Sequence, residues 1–170
     1  MNLISSPCFS ILLNGSPSPP FQPSRGICQG DPLSPFIFVL MAEGLSRLLH
    51  SASSSHSLKG ISLHGQSPIT HQQFVEDNML FGHPSVQEAS AFKLLLNLFS
   101  EASGTTINAS KSQLFFFHTP VLTQRNIDRI LGFSIAKLLS KYLGAPLFDY
   151  AIKHASWRTL LDNLETRLSS

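Results

Sequence analysis

The segment HQQFVEDNMLFG, residues 71–82, places the acidic pair Glu76–Asp77 between the apolar pairs Phe74–Val75 and Met79–Leu80. Charges seldom stand between apolar runs unless the chain turns there or the charges have a function. The segment therefore predicts two short strands joined by a tight turn at the acidic pair. From these residues alone, three interpretations stay open: a metal-binding turn, a solvated hairpin tip, or a catalytic site that has lost its activity.

Two segments around this turn have the pattern of buried helices. In the first, Ser34 is placed to cap a helix that runs to His50. In the second, Ser85 and Glu88 form a capping box, and Gly104 follows the last helical turn. Apolar residues recur at helical spacing in both, at Phe38, Met41, Leu45, Leu48 and Leu49, and at Phe92, Leu95, Leu96 and Phe99.

Shorter elements are predicted on either side of these helices. Asn14–Gly15 is a strong reverse-turn pair, and the prolines that follow it at 17, 19 and 20 prevent regular pairing of the return strand. Residues 123–131 have the pattern of a short helix that ends at a glycine. Residues 141–147 have the pattern of an apolar strand followed by a turn. Leucines at near-helical spacing follow over 151–168. With no internal repeat and no linker, residues 1–170 are predicted to form a single α+β domain.

Composition excludes several classes of protein. With 42% apolar and 13% charged residues the chain is not disordered, and a net charge of +2 does not by itself indicate a nucleic-acid binder. The two cysteines, Cys8 and Cys28, have neither metal-ligand spacing nor the pattern of a disulfide framework, and His64 and His71 have no ligand spacing. The longest apolar run, 36–42, is too short to span a bilayer. A nuclear or cytoplasmic protein that is neither secreted nor in a membrane is expected.

Several segments, in this order, resemble the reverse transcriptase of plant LINE-type (non-LTR) retrotransposons. SRGICQGDPLSPFIF at 24–38 resembles that family's RGxRQGDPLSP box, and FVED at 74–77 stands where the family has F-A-D-D. The remaining similar segments are ILLNGSP at 11–17, SGTTINASKS at 103–112 and KYLGAPL at 141–147. The likeness extends from about Phe9 to Leu168, nearly the whole chain.

The resemblance implies a fold and an ancestral activity. The fold is part of a right-hand polymerase palm with a portion of the fingers, in which helices pack on a small antiparallel sheet. The activity is RNA-directed DNA synthesis with two Mg²⁺ ions, for which the partners are an RNA template, a DNA primer and a deoxynucleoside triphosphate. Two divalent ions stabilise the attacking oxygen and the leaving pyrophosphate in such a reaction.

The resemblance also assigns residues. Glu76 and Asp77 occupy the catalytic metal-ligand positions, and Lys111 matches a lysine that acts near the triphosphate as charge partner or proton donor. The template- and substrate-side positions lie in the first box, at Arg25, Gly26, Gln29, Gly30 and Asp31. There a glycine permits close backbone approach, and an amide side chain can bond a sugar or a phosphate.

Three departures from the family bear on activity. Glu76 replaces the first aspartate of the box, so its carboxylate is displaced by one methylene. The family's other metal-binding aspartate lies upstream of the ILLNGSP segment, and this sequence has no Asp or Glu before Asp31. Cys28 replaces a usual arginine. The sequence is therefore expected to be a truncated and inactive reverse transcriptase domain.

Two other interpretations stay open. One is a catalytically dead module of the same fold that binds RNA or a protein, including a fragment that supplies the missing strand. The other is that no stable protein forms, because a palm edge left unpaired invites aggregation.

Overall fold

The computed structural model describes residues 7–23, 26–27, 30–62, 65, 67–136, 141–142, 145–146 and 158–168. This part of the chain is mixed α+β, as predicted. Its helices are α1 Ser34–Ser54, α2 Val86–Ser103, α3 Val121–Leu131 and α4 Arg158–Leu168. Its strands are β1 Leu12–Leu13, β2 Ser16–Pro17, β3 His71–Phe74, β4 Asp77–Leu80, β5 Gln113–Leu114, β6 Ser134–Ile135, β7 Lys141–Tyr142 and β8 Ala145–Pro146. The part of the predicted C-terminal helix over 151–157 lies outside the described residues.

The strands pair two by two. Within the described segments they form four separate two-stranded sheets, of which β1–β2, β3–β4 and β7–β8 are antiparallel. The fourth pair, β5–β6, is parallel, because α3 carries the chain back to the start of the sheet before β6 begins. The small antiparallel sheet of the prediction is thus divided into short pairs, and its arrangement as polymerase palm and fingers stays a prediction.

The core lies between three helices. α2 packs against both α1 and α3, and α1 also contacts β3. The buried apolar side chains come from the second half of α1, from Leu58 and from the inner faces of α2 and α3: Leu45, Leu49, Ala52, Leu58, Ala89, Phe92, Leu96, Ile127 and Leu131. The predicted inner face of α2 is confirmed, since Leu95 and Phe99 pack against this cluster beside the buried Phe92 and Leu96.

Local signals place the ends of α2 and α3 correctly. The Glu88 N–H donates to Ser85 Oγ at 3.2 Å, so Ser85 caps α2 as predicted. The Glu88 carboxylate accepts from the His83 N–H at 3.0 Å and not from the cap residue itself. Gly104 and Gly132 end α2 and α3 with φ of 71° and 77°, a conformation that L-residues other than glycine disfavour.

The start of α1 differs from the prediction. Ser34 is the first helical residue and not its cap, and its buried hydroxyl has no hydrogen-bond partner among the described residues. The reason is the turn before it. The Leu33 N–H donates to Asp31 Oδ1 at 3.0 Å, and the Ser34 N–H donates to the Asp31 carbonyl at 3.1 Å. Asp31 therefore closes a turn just before the helix, which begins at Ser34 without a side-chain cap.

The N-terminal hairpin follows its turn residues. Asn14 and Gly15 form the tip with φ of 48° and 84°. Beyond the two paired residues of each strand, the Ser18 N–H donates to the Ile11 carbonyl at 2.8 Å and an isolated bridge joins Phe9 to Phe21. The pairing is irregular, in agreement with the predicted effect of the prolines. None of the helices over the described ranges has the length and apolarity needed to cross a membrane.

Candidate functional site

The strands β3 and β4 form the predicted hairpin around Glu76 and Asp77, called here the acidic hairpin. The register of the two strands determines the positions of the two carboxylates. The strands β3 and β4 pair from His71 opposite Leu80 to Phe74 opposite Asp77. The connecting loop is therefore Val75–Glu76, and Asp77 is already the first residue of β4. The predicted turn exists but lies one residue earlier than the acidic pair. A pair that closes at Phe74 and Asp77 leaves room for a loop of only two residues.

The loop contains a strained residue. Val75 has φ of 49°, a left-handed conformation that is unusual for a β-branched side chain. For an L-residue this conformation costs about 1–2 kcal/mol relative to the right-handed one. The Asn78 side-chain amide donates to the Glu76 carbonyl at 3.1 Å and helps to hold the loop in place. The rest of the hairpin thus imposes on the turn a geometry that Val75 by itself opposes.

The two faces of the hairpin have different surroundings. Directly paired residues lie on the same face, and successive residues alternate between faces. His71 and Leu80 share the face that packs inward: Leu80 contacts the core, and the His71 ring reaches α1. Phe74 and Asp77 share the opposite face, on which Phe74 is 55% exposed. The Asp77 carboxylate therefore projects from the face directed away from α1.

A two-metal centre does not fit this set of ligands. Both Glu76 and Asp77 are exposed. Among the described residues, no group of three or more His, Cys, Asp or Glu side chains is close enough to hold a metal ion. Two Mg²⁺ ions need near-octahedral oxygen coordination from rigidly held carboxylates. The hairpin supplies only two carboxylates, Glu76 on a two-residue loop and Asp77 on the outer strand face. These are fewer and less rigidly held than the ligands that two Mg²⁺ ions need.

The segment that contains Lys111 is a turn built by Asn108. The Asn108 side-chain oxygen accepts from the N–H groups of Ser110 at 3.1 Å and Lys111 at 3.2 Å. The Ser112 hydroxyl donates to the Asn108 carbonyl at 2.9 Å. Lys111 is exposed, and no ion pair joins its ammonium group to the acidic hairpin within the described segments. The asparagine and serines of this segment thus have a structural role, and the lysine is presented to solvent.

The predicted template-side residues are only partly described. Arg25 and Gln29 lie outside the described residues. Gly26 and Gly30 both have φ of 88°, and a Cβ added at either would meet nothing within 4 Å. These glycines are therefore required by backbone conformation and not by the close approach of another described group. The Asp31 carboxylate is engaged in the turn before α1.

One residue of the hairpin makes contacts that the sequence does not indicate. The His71 ring lies between two hydroxyls, with Nε2 at 2.9 Å from Ser46 Oγ and Nδ1 at 3.0 Å from Thr70 Oγ1. Burial, and then the nearby His50, lower the pKa of His71 below its ordinary value. No local pattern marks this contact, because Ser46 and His71 are 25 residues apart.

Comparison with known proteins gives one informative similarity. No family model matches the chain. An uncharacterized mitochondrial protein of Arabidopsis thaliana, AtMg01250, is 37% identical to it over 108 residues. The match covers 62% of this chain and 86% of the Arabidopsis protein.

Proposed function

We propose that this chain, which belongs to the same family as the uncharacterized mitochondrial protein of Arabidopsis thaliana, is the remnant of an RNA-directed DNA polymerase of a plant non-LTR retroelement. Its ancestors catalysed template-directed nucleotidyl transfer with Mg²⁺, and this chain no longer does. The five polymerase-like segments, in family order, support the ancestry.

The acidic hairpin is the observation that carries the proposal. Two paired strands with a two-residue loop bring Glu76 and Asp77 to one tip, as a polymerase metal turn requires. The apolar residues around the acids lie on different faces of the hairpin. Leu80 packs on the core, and Phe74 lies on the outer face beside Asp77.

The same geometry argues against present activity. Glu76 is longer than the aspartate it replaces, and a misplacement of about 1 Å in a catalytic group can cost on the order of 10²-fold in rate. On the outer face beside Asp77, the other residues of the hairpin are Gln72, Phe74 and Met79, which supply no carboxylate. Among the described residues, no group of three or more His, Cys, Asp or Glu side chains is close enough to hold a metal ion, so a metal ion at this tip lacks the further acid ligands that two-metal catalysis needs.

Primer extension tests the proposal. The purified chain is incubated with an RNA template, a DNA primer and deoxynucleoside triphosphates, in Mg²⁺ and separately in Mn²⁺. No extension is expected with either ion. Asp77→Asn is compared with the matched control Asp162→Asn, an exposed aspartate on α4. Extension that disappears in Asp77→Asn but persists in the control would refute the claim of inactivity while supporting the ancestry.

A second candidate function is favoured by the outer surface of α1. Phe36, Val39 and Leu40 are 70%, 63% and 72% exposed on the side of the helix opposite the core. No charged residue stands between Asp31 and Glu43. Exposed apolar groups of this kind mark interaction surfaces, and without cations this surface suits a protein better than a phosphate backbone. The candidate is a catalytically inactive module that binds a protein partner.

An RNA filter-binding titration at low and moderate salt separates the two kinds of partner. For a module that binds protein, RNA binding is expected to be absent or insensitive to salt. Binding that weakens steeply as salt rises indicates real phosphate contacts, and would favour RNA over protein as the partner.

The cellular location expected from the sequence, nuclear or cytoplasmic, stays a prediction. The Arabidopsis relative is named a mitochondrial protein. Fractionation of cells that express the epitope-tagged chain, with a mitochondrial marker as reference, distinguishes these compartments. Enrichment with the mitochondrial marker would contradict the nuclear or cytoplasmic expectation.

A further inference from the structure

The His71 ring connects the acidic hairpin to α1, one of the three helices that enclose the core. Ser46, which contacts Nε2 at 2.9 Å, stands between Leu45 and Leu49, which are 3% and 0% exposed. Thr70, which contacts Nδ1 at 3.0 Å, is 6% exposed. His71 itself is the first residue of β3, the strand that leads into the acidic loop. The ring therefore forms a direct side-chain link between the hairpin and α1, in addition to the packing of Leu80 on the core.

We propose that His71 is a proton-sensitive positioning residue, which holds the acidic hairpin on α1 while its ring is neutral and releases it when the ring is protonated. The inference rests on the proposed function only in so far as the hairpin it controls is the ancestral metal turn. The contact itself is a property of this chain whatever the hairpin once did.

The burial of the site, more than its hydrogen bonds, favours the neutral ring, since it lowers the pKa of His71. A neutral imidazole has one donor and one acceptor nitrogen, and a serine and a threonine hydroxyl can satisfy both. A second proton places a positive charge in a partly buried position. Burial opposes this charge, and the nearby His50 adds to the effect, so the pKa of His71 is lowered in the folded protein. Folding therefore stabilises the neutral form.

The charged groups on the neighbouring elements do not offset this effect. On α1, Glu43 lies one turn before Ser46, but Arg47 donates to its carboxylate at 2.8 Å. His50 lies one turn after Ser46 and disfavours a second positive charge. The carboxylates of the hairpin, Glu76 and Asp77, stand at its opposite end, and Lys59 belongs to the segment after α1. No described carboxylate lies within salt-bridge distance of the His71 ring.

The sign of the pH dependence follows directly. In the unfolded chain the pKa of His71 is about 6.5, whereas in the folded chain it is lower. The contribution of the neutral ring is fully present above the unfolded value. It is lost as the pH falls through that value and then through the folded one, because the unfolded chain takes up the proton first.

NMR titration of the full chain from pH 8 to pH 5, without metal or nucleic acid, tests the proposal. The probes are the His71 ring protons and the backbone amides of β3 and β4. In the wild type, the amides are expected to shift in one transition that coincides with the titration of His71. In His71→Gln, this transition is expected to disappear from the amides. His83→Gln, which replaces an exposed histidine outside the hairpin, is the matched control and is expected to retain it.

Two results would overturn the proposal: amides in the wild type that do not move with His71, or amides that still move in His71→Gln. Should His71→Gln fail to fold, Ser46→Ala retains the ring and removes one of its anchors. Its expected effect is a smaller shift of the β3 and β4 amides as His71 titrates, because one of the two contacts of the ring is gone, and an unchanged shift would count against the proposal. Because these measurements involve no catalysis or metal, their failure is distinct from that of the proposed function.

Discussion

The substitution Gly60→Ala tests how the chain enters the acidic hairpin. Gly60 has φ of 64°, and a Cβ at this position would lie 2.6 Å from the Ile69 carbonyl oxygen and 3.1 Å from the γ-methyl of Thr70. The Ile69 carbonyl accepts from the Ile61 N–H at 2.9 Å, and the Ile69 N–H donates to the Ile61 carbonyl at the same distance. The methyl group must therefore push apart the two segments whose pairing precedes β3.

Two terms determine the magnitude of the effect. Alanine in a left-handed conformation costs about 1–2 kcal/mol. Forcing a methyl group against backbone atoms that cannot rotate away costs about 1–3 kcal/mol more. Together they predict a loss of about 3 kcal/mol in the free energy of unfolding.

Gly104 provides the matched control. It has φ of 71° at the end of α2, and a Cβ there would meet nothing within 4 Å. Gly104→Ala therefore carries the conformational term alone, about 1 kcal/mol. Its N–H, which donates to the Ser100 carbonyl at 2.9 Å, is retained in alanine.

Urea unfolding monitored by far-UV circular dichroism measures both variants. A gap of about 2 kcal/mol between them corresponds to a difference in midpoint of about 1 M, for a slope of about 2 kcal/mol per M. Equal midpoints for Gly60→Ala and Gly104→Ala would show that Ile69 does not lie against Gly60, and the account of how the hairpin is anchored would fail.

Two further predictions concern local conformation. Val75→Gly is expected to raise the unfolding free energy by about 1 kcal/mol, because relief of the strained φ outweighs the greater freedom of glycine in the unfolded chain; a decrease in the urea midpoint would contradict it. Ser85→Ala removes the acceptor for the Glu88 N–H and is expected to lower the unfolding free energy by about 1 kcal/mol, whereas Ser85→Asp retains an acceptor and is expected to preserve it. Equal thermal midpoints for these two variants would disprove the cap.

The features predicted correctly from sequence are those in which one or two neighbouring residues determine the backbone. Ser85 and Gly104 define α2 because a hydroxyl accepts from the first turn and a glycine takes the left-handed conformation after the last. Asn14–Gly15 defines a hairpin tip for a similar reason. In each case the decisive interactions lie within four residues along the chain.

The features that differed depend on interactions that the local pattern does not contain. Ser34 has the residue type of a cap, but Asp31 forms the turn first and leaves the serine hydroxyl inside the helix. The parallel pairing of β5 and β6 arises from the path of α3, which no residue of either strand indicates. The contact between Ser46 and His71 depends on how α1 packs against β3.

The shift of the acidic turn by one residue has the largest consequence for function. With Asp77 paired opposite Phe74, its side chain is fixed to the outer face by the alternation of the strand, while Glu76 lies in the loop, where the Asn78 amide donates to its carbonyl. The two carboxylates thus depend on different parts of the hairpin, and Glu76→Asp changes the reach of only one of them. Shortening the side chain in Glu76→Asp is therefore expected to leave Mg²⁺ binding undetectable by calorimetry, and tight binding in that variant would contradict the finding that the described hairpin supplies too few acid ligands.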